Sequence, residues 1–126
     1  MDTIIELIKN IDRRLEILER SRSSNEDWIT PTMLNSWVDY DSTYNTCQYY
    51  KDKEGIVHLK GLVKSGTIGQ AIFTLPTGYR PSKQYLIATQ TSPNTIGRLD
   101  INTSGSVIPT TGSNSWFSLD NISFRV

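Results

Sequence analysis

Cysteine, histidine and net charge are almost missing from this chain. Cys47 is the single cysteine among 126 residues, so no intrachain disulfide can form and the fold must rest on its core. The lack of bridges fits synthesis in a reducing cytoplasm. His58 is the single histidine, which excludes a multi-histidine metal site within one chain. Only symmetry copies could supply such a site, and between Val57 and Leu59 the residue reads more simply as a surface or edge histidine. Lys and Arg number 13 and Asp and Glu number 13, mixed along the chain rather than blocked. That pattern gives no electrostatic footprint for nucleic acid or an anionic membrane. No apolar run approaches the roughly 18 residues of a spanning helix. The Met1 start leads into an acidic amphipathic stretch, without the basic and apolar regions of a secretory signal.

What the chain does have begins at once, in MDTIIELIKNIDRRLEILER. Ile4, Ile8, Ile11, Leu15 and Leu18 recur at alternating spacings of four and three, the seam of a helix that wants a helical partner. With Ile8 and Leu15 at a and Ile4, Ile11 and Leu18 at d, isoleucine on both kinds of position favours three or four strands over two. We expect a trimer. Arg14 and Glu19 fall at g and e, where an interhelical pair steers register. The competing reading is a helix packed on its own head, and Ile5, Leu7 and Ile17 widen the apolar face in that direction. A helix of this size spans only about 30 Å, so its coil needs help from the head.

From Ser21 onward the seam ends in SRSSNED, and the remainder reads as strands and turns. We therefore expect a helix over 1–20, a linker over 21–34 and one β-rich head over 35–126. NSWVDY, CQYYK, IVHLKGLVK, QAIFTL, YLIAT, IGRLDI, VIP, WFSL and ISFRV are the expected strands, separated by Gly, Ser, Asn and Pro turns. IVHLKGLVK reads as one strand over Ile56 to Lys64, and YLIAT as a strand buried on both faces. IGRLDI and VIP flank NTSG as a hairpin. This spacing predicts a mainly β fold with an N-terminal α-helix: a short coiled coil followed by an antiparallel β-sandwich or jelly-roll-like head.

Residues able to do chemistry are sparse, and no enzyme or cofactor is expected. Asp39 and Asp41 lie two apart, and paired carboxylates serve glycoside hydrolysis, yet such pairs are common in solvated loops. Cys47 beside Tyr49 reads as a small buried apolar residue. The glycines of GLVKSGTIG do not lead from a strand into a helix, so they are turn glycines and not a phosphate loop. Aromatics are more suggestive. Tyr40 and Tyr44, with Asp41 and Asn45 between and beside them, combine rings on which sugars stack with groups that fix hydroxyls. Arg98 and Asp100, same-face neighbours on IGRLDI, form a second candidate. Trp28, Trp37 and Trp116 read as core or subunit-contact residues.

The block GIVHLKGLVKSGTIGQAIFTLPTGYRPSKQYLIAT, Gly55 to Thr89, resembles one that recurs in tail-fibre, appendage and baseplate proteins of phages and prophages of Gram-positive bacteria. Its Gly-Thr-Ile-Gly turn and its Leu-Pro-x-Gly-Tyr-Arg-Pro stretch carry the likeness. SNSWFSLDNISFRV resembles the end of the same module, and the resemblance covers about Asn35 to Val126. It implies a β-rich head similar in plan to trimeric receptor-binding proteins, with a Bacillus siphophage as one suggested source. By the same resemblance the chain belongs to the tail region of a virion and is made in the host cytoplasm. Its partners would be its own copies, host cell-wall saccharide and other tail proteins. The rival expectation is a structural or assembly protein that uses the same fold for protein contacts. The shared motif consists of turn and core positions, so it assigns no binding residue.

If the helix drives assembly, the full chain will have the solution mass of a trimer and a chain starting at Trp28 will fall apart into monomers. A monomeric full chain would remove the coiled-coil argument.

Overall fold

The computed structural model describes residues 3–11 and 26–126. Residues 3–11 form a helix, α1, along which Ile4, Ile8 and Ile11 are about half exposed or more, at 61%, 54% and 49%. Leu15, Leu18, Arg14 and Glu19 lie outside the described residues, as does most of the polar SRSSNED stretch.

The head holds ten strands among the described residues: β1 (Val38–Asp39), β2 (Gln48–Lys51), β3 (Ile56–Lys60), β4 (Leu62–Lys64), β5 (Phe73–Thr74), β6 (Tyr85–Thr91), β7 (Thr95–Ile101), β8 (Ser106–Thr111), β9 (Phe117–Ser118) and β10 (Ile122–Arg125). They make a seven-stranded sheet in the order β1-β4-β9-β6-β7-β8-β5 and a three-stranded sheet in the order β10-β3-β2. Every pairing is antiparallel. The architecture is mainly β and consistent with a sandwich. Alternation explains which residues face inward. On the small sheet Tyr49, Val57, Leu59, Ile122 and Phe124 are buried, and the large sheet contributes Phe73, Leu99, Ile101, Val107 and Phe117. Tyr49 of β2 stacks on Phe73 of β5 with ring centroids 5.7 Å apart, which ties the two layers together.

IVHLKGLVK is not one strand. The chain leaves the small sheet after Lys60 and joins the large one at Leu62, with Gly61 alone between them. Gly61 has φ +135°, and a Cβ there would lie 2.6 Å from Cys47 Cα. Its N–H donates to Asp120 Oδ1 (2.9 Å), and its carbonyl accepts the Leu119 N–H (2.7 Å). Only glycine meets both the backbone angle and the close approach. Cys47, 1% exposed, packs against this corner. Burial, reinforced by the Asp39 carboxylate, pushes its thiol up to about 12, so it carries almost no thiolate at neutral pH.

Two other expectations change. NSWVDY shortens to Val38–Asp39 because Asn35 and Ser36 take left-handed backbone angles, φ 54° and 68°. The turn drops Trp37 into the core, 1% exposed. YLIAT is not buried on both faces. In β6, Ile87, Thr89 and Thr91 point inward while Leu86, Ala88 and Gln90 are exposed, since an antiparallel sheet can leave one face open. The expected hairpin does form: β7 pairs with β8 around a turn in which the Gly105 N–H donates to the Asn102 carbonyl.

The segment that enters the head is fastened by Glu26. Its Oε1 accepts the Lys51 N–H (2.6 Å) and its Oε2 accepts the Tyr79 hydroxyl (2.6 Å). Accepting that hydrogen bond, Glu26 stabilises the neutral phenol and pushes Tyr79 up to about 12. Three residues on, Ile29 bridges to Tyr49.

Gly61→Ala should destabilise the head by about 3 kcal/mol, because strain and overpacking meet at one backbone position. Denaturant unfolding measures this, and a loss below about 0.5 kcal/mol would show that the corner tolerates a side chain.

Candidate functional site

The turn between β9 and β10 organises the outer surface. Asn121 holds it in a left-handed conformation, φ 62°, and Asp120 projects beside it. Asp120 Oδ1 receives the Gly61 N–H and also Asn45 Nδ2 (2.9 Å). One carboxylate oxygen thus joins the sheet corner, the 40–45 loop and the last turn.

On one side of Asp120 lies a cleft of about 320 Å³ lined by Tyr40, Tyr44, Leu62, Gln90, Trp116, Ser118 and Asp120. Tyr40 and Tyr44 meet edge to face, with centroids 5.6 Å apart, and Lys64 Nζ stands 5.4 Å from the Tyr40 ring centre. The packed pair presents aromatic surface beside an amide, a hydroxyl and a carboxylate, the combination that binds a hydroxyl-rich ligand.

On the other side a groove of about 540 Å³ runs over the outer face of the small sheet, with Trp28, Tyr50, His58 and Lys60 along it and Asn45 and Asp120 at its rim. Tyr50 stacks on His58 at 4.8 Å, and Trp28 meets Tyr50 edge to face at 4.6 Å. Lys60 Nζ sits 4.5 Å over the Trp28 ring, a cation–π contact. His58 lies on the central strand of its sheet and not at an edge. Its Nε2 is 2.8 Å from Asp52 Oδ2, while Asp52 Oδ1 accepts the N–H groups of Glu54 and Ile56. The His58 hydrogen bond, then the Ile56 N–H, hold the Asp52 carboxyl below its ordinary 3.8.

The sequence candidates separate in this frame. Tyr40 and Tyr44 come together in the cleft, and Asn45 reaches them only through Asp120. Asp41 lines neither hollow, and its Oδ1 caps the Thr43 N–H (2.8 Å). Asp39 turns instead to the Cys47 N–H (2.9 Å), so the two carboxylates do not form a pair. Arg98 and Asp100 share a face as expected and are joined by Nε–Oδ1 and Nη2–Oδ2 bonds of 2.8 and 3.1 Å. Arg98 is exposed on the outer face of β7, where it borders a shallow depression with Leu86, Ala88 and Ile96, while Asp100 beneath it is buried. Gln90, Trp116 and Asp120 line the cleft, and Trp28 and Tyr50 line the groove, without being among the sequence candidates. The Asp-Asn turn was the one local signal, since the others converge only through tertiary folding. Among the described residues no group of three or more His, Cys, Asp and Glu side chains is placed to hold a metal ion.

Comparison with known structures bears on this architecture. The crystal structure of the receptor binding protein (gp15) of Listeria phage PSA superimposes with a TM-score of 0.78, at 18% identity, over 98% of this chain and 78% of that one. This chain shares its fold with a phage receptor binding protein. No family model and no curated protein sequence matches, so the likeness lies in the fold rather than in the sequence. The β-rich plan implied by the sequence block is therefore met by a structure from a phage.

Asp52 gives a pH signature. Because its pKa is depressed in the fold, its contribution is fully present above about pH 4 and is lost as pH falls through the depressed value. The melting temperature should therefore drop on acidification from about pH 5 to about pH 2, and Asp52→Asn should drop less. Equal slopes in thermal unfolding would show that the contact with His58 carries no linkage.

Proposed function

We propose that this chain is the receptor-binding head of a phage tail or baseplate appendage, assembled as a trimer and adsorbing to saccharide of the host cell wall. One observation carries the reading: the fold match to a phage receptor binding protein extends over 98% of the chain. The tyrosine cleft is the contact surface, with Tyr40, Tyr44 and Trp116 stacking on sugar rings and Gln90, Ser118 and Asp120 fixing hydroxyls. In this reading the protein is made in the host cytoplasm and resides in the tail region of the virion, and the host is a Gram-positive bacterium. It acts by binding, not by catalysis.

The trimer rests on two exposed apolar surfaces. Ile4, Ile8 and Ile11 stand uncovered on α1, and on the head Leu86 and Ile96 are 61% and 79% exposed on neighbouring strands. Copies of the chain would bury both, and burial contributes about 25 cal/mol per Å². Arg98 and Asp100, paired on the same outer face, then belong to a subunit contact more naturally than to a ligand site. The same exposed face also favours the second reading, a structural or assembly protein docked on another tail component. Immunolabelling of virions, with co-purification of tail proteins, decides for that alternative if a partner is found and no wall binding occurs.

Full-length protein should sediment with intact host cell walls. Replacing Tyr40 and Tyr44 together by alanine should weaken that binding at least about tenfold, or roughly 1.4 kcal/mol, without changing the melting temperature much. Protein that ignores host walls even when multimerised would sink the adsorption reading.

A further inference from the structure

We propose that the binding surface does not stop at the tyrosine cleft but crosses the Asp120–Asn121 turn into the groove over the three-stranded sheet, so that the ligand is an extended glycan segment rather than a single terminal sugar. This inference rests on the saccharide reading above. The cleft and the groove meet at Asp120, which lines both. A third hollow, of about 480 Å³, connects them: it shares Gln90 and Ser118 with the cleft, Asn121 and Ile122 with the groove, and Asp120 with each. One hollow of about 300–1,000 Å³ suffices for a compact small molecule. Three in contact suit a ligand of several linked units.

Chemistry along the path matches a glycan. Sugars present apolar ring faces bordered by hydroxyls, and the path alternates in the same way. Tyr40, Tyr44 and Trp116 offer rings at one end. Trp28, 39% exposed, and Tyr50 offer them at the other. Between the two, Asp120 spends Oδ1 on Gly61 and Asn45, while its Oδ2 takes no hydrogen bond from any described residue. That oxygen is an acceptor left for a ligand hydroxyl at the crossing point. Lys60, whose contact among the described residues is the Trp28 ring, supplies donors in the groove. Tyr40 is already packed on Tyr44 and Trp28 on Tyr50, so those rings lose little side-chain freedom on binding.

The test uses the full chain and size-fractionated fragments of purified host wall glycan, with the protein in solution and the fragments at low density to suppress multivalent capture. Affinity should rise with fragment length by at least about tenfold before levelling off. Trp28→Ala should flatten that rise, whereas Tyr44→Ala should weaken fragments of every length. Asp120→Asn keeps an oxygen for Gly61 and Asn45 but turns the remaining acceptor into a donor. Because Asp120 lines the cleft as well as the groove, this variant should lower affinity for fragments of every length and for long fragments most, so that the rise with length is smaller, with no fall in melting temperature. Length-independent binding, or a length dependence unaltered by both Trp28→Ala and Asp120→Asn, would overturn the extension while leaving the tyrosine cleft in place. No binding of any fragment or of intact walls would overturn the saccharide reading and this inference with it.

Discussion

A single carboxylate oxygen holds the corner on which the head depends. The chain passes from one sheet to the other within one residue, and at that residue the backbone N–H would be left without a strand partner. Asp120 Oδ1 accepts it, and Leu119 closes the corner from the other side. An unsatisfied buried donor costs about 1–3 kcal/mol, a large part of the stability of so small a domain. The corner also fixes where β3 and β4 leave their sheets, hence how the two apolar faces meet at Tyr49 and Phe73. The folding corner and the candidate site meet here, since the same side chain stands between the two hollows.

Much of the head was legible because its signals are local. Turn residues marked the β7–β8 hairpin, and the lone cysteine between polar and aromatic neighbours read correctly as buried. The β-rich, antiparallel character followed from short apolar runs cut by Gly, Ser, Asn and Pro. What failed to show was tertiary. IVHLKGLVK alternates without interruption as a sequence, and nothing local says that Gly61 changes sheets. YLIAT is apolar enough for a doubly covered strand, yet its outer face is open within one chain. Apolar residues on an open face carry the same letters as apolar residues in a core, so composition could not separate them.

The candidate site divides along the same line. Tyr40 and Tyr44 are close in sequence and were found together. Trp116, Gln90 and Asp120 come from other strands, and Trp28 comes from the segment before the head. The pairing of Arg98 with Asp100 was visible from their spacing alone, because residues two apart on a strand share a face. Whether that face meets a ligand or another subunit depends on what lies opposite, which no single chain encodes in its local pattern.

Glu26 has a mechanical consequence. Any tension applied through the N-terminal segment reaches the head at the two short hydrogen bonds of Glu26 and at the Ile29–Tyr49 bridge. From there it passes into β2 and the stacked Tyr49 and Phe73, which tie the two layers together. A head tethered in this way takes a pull on its N-terminal segment into the joint between its two sheets.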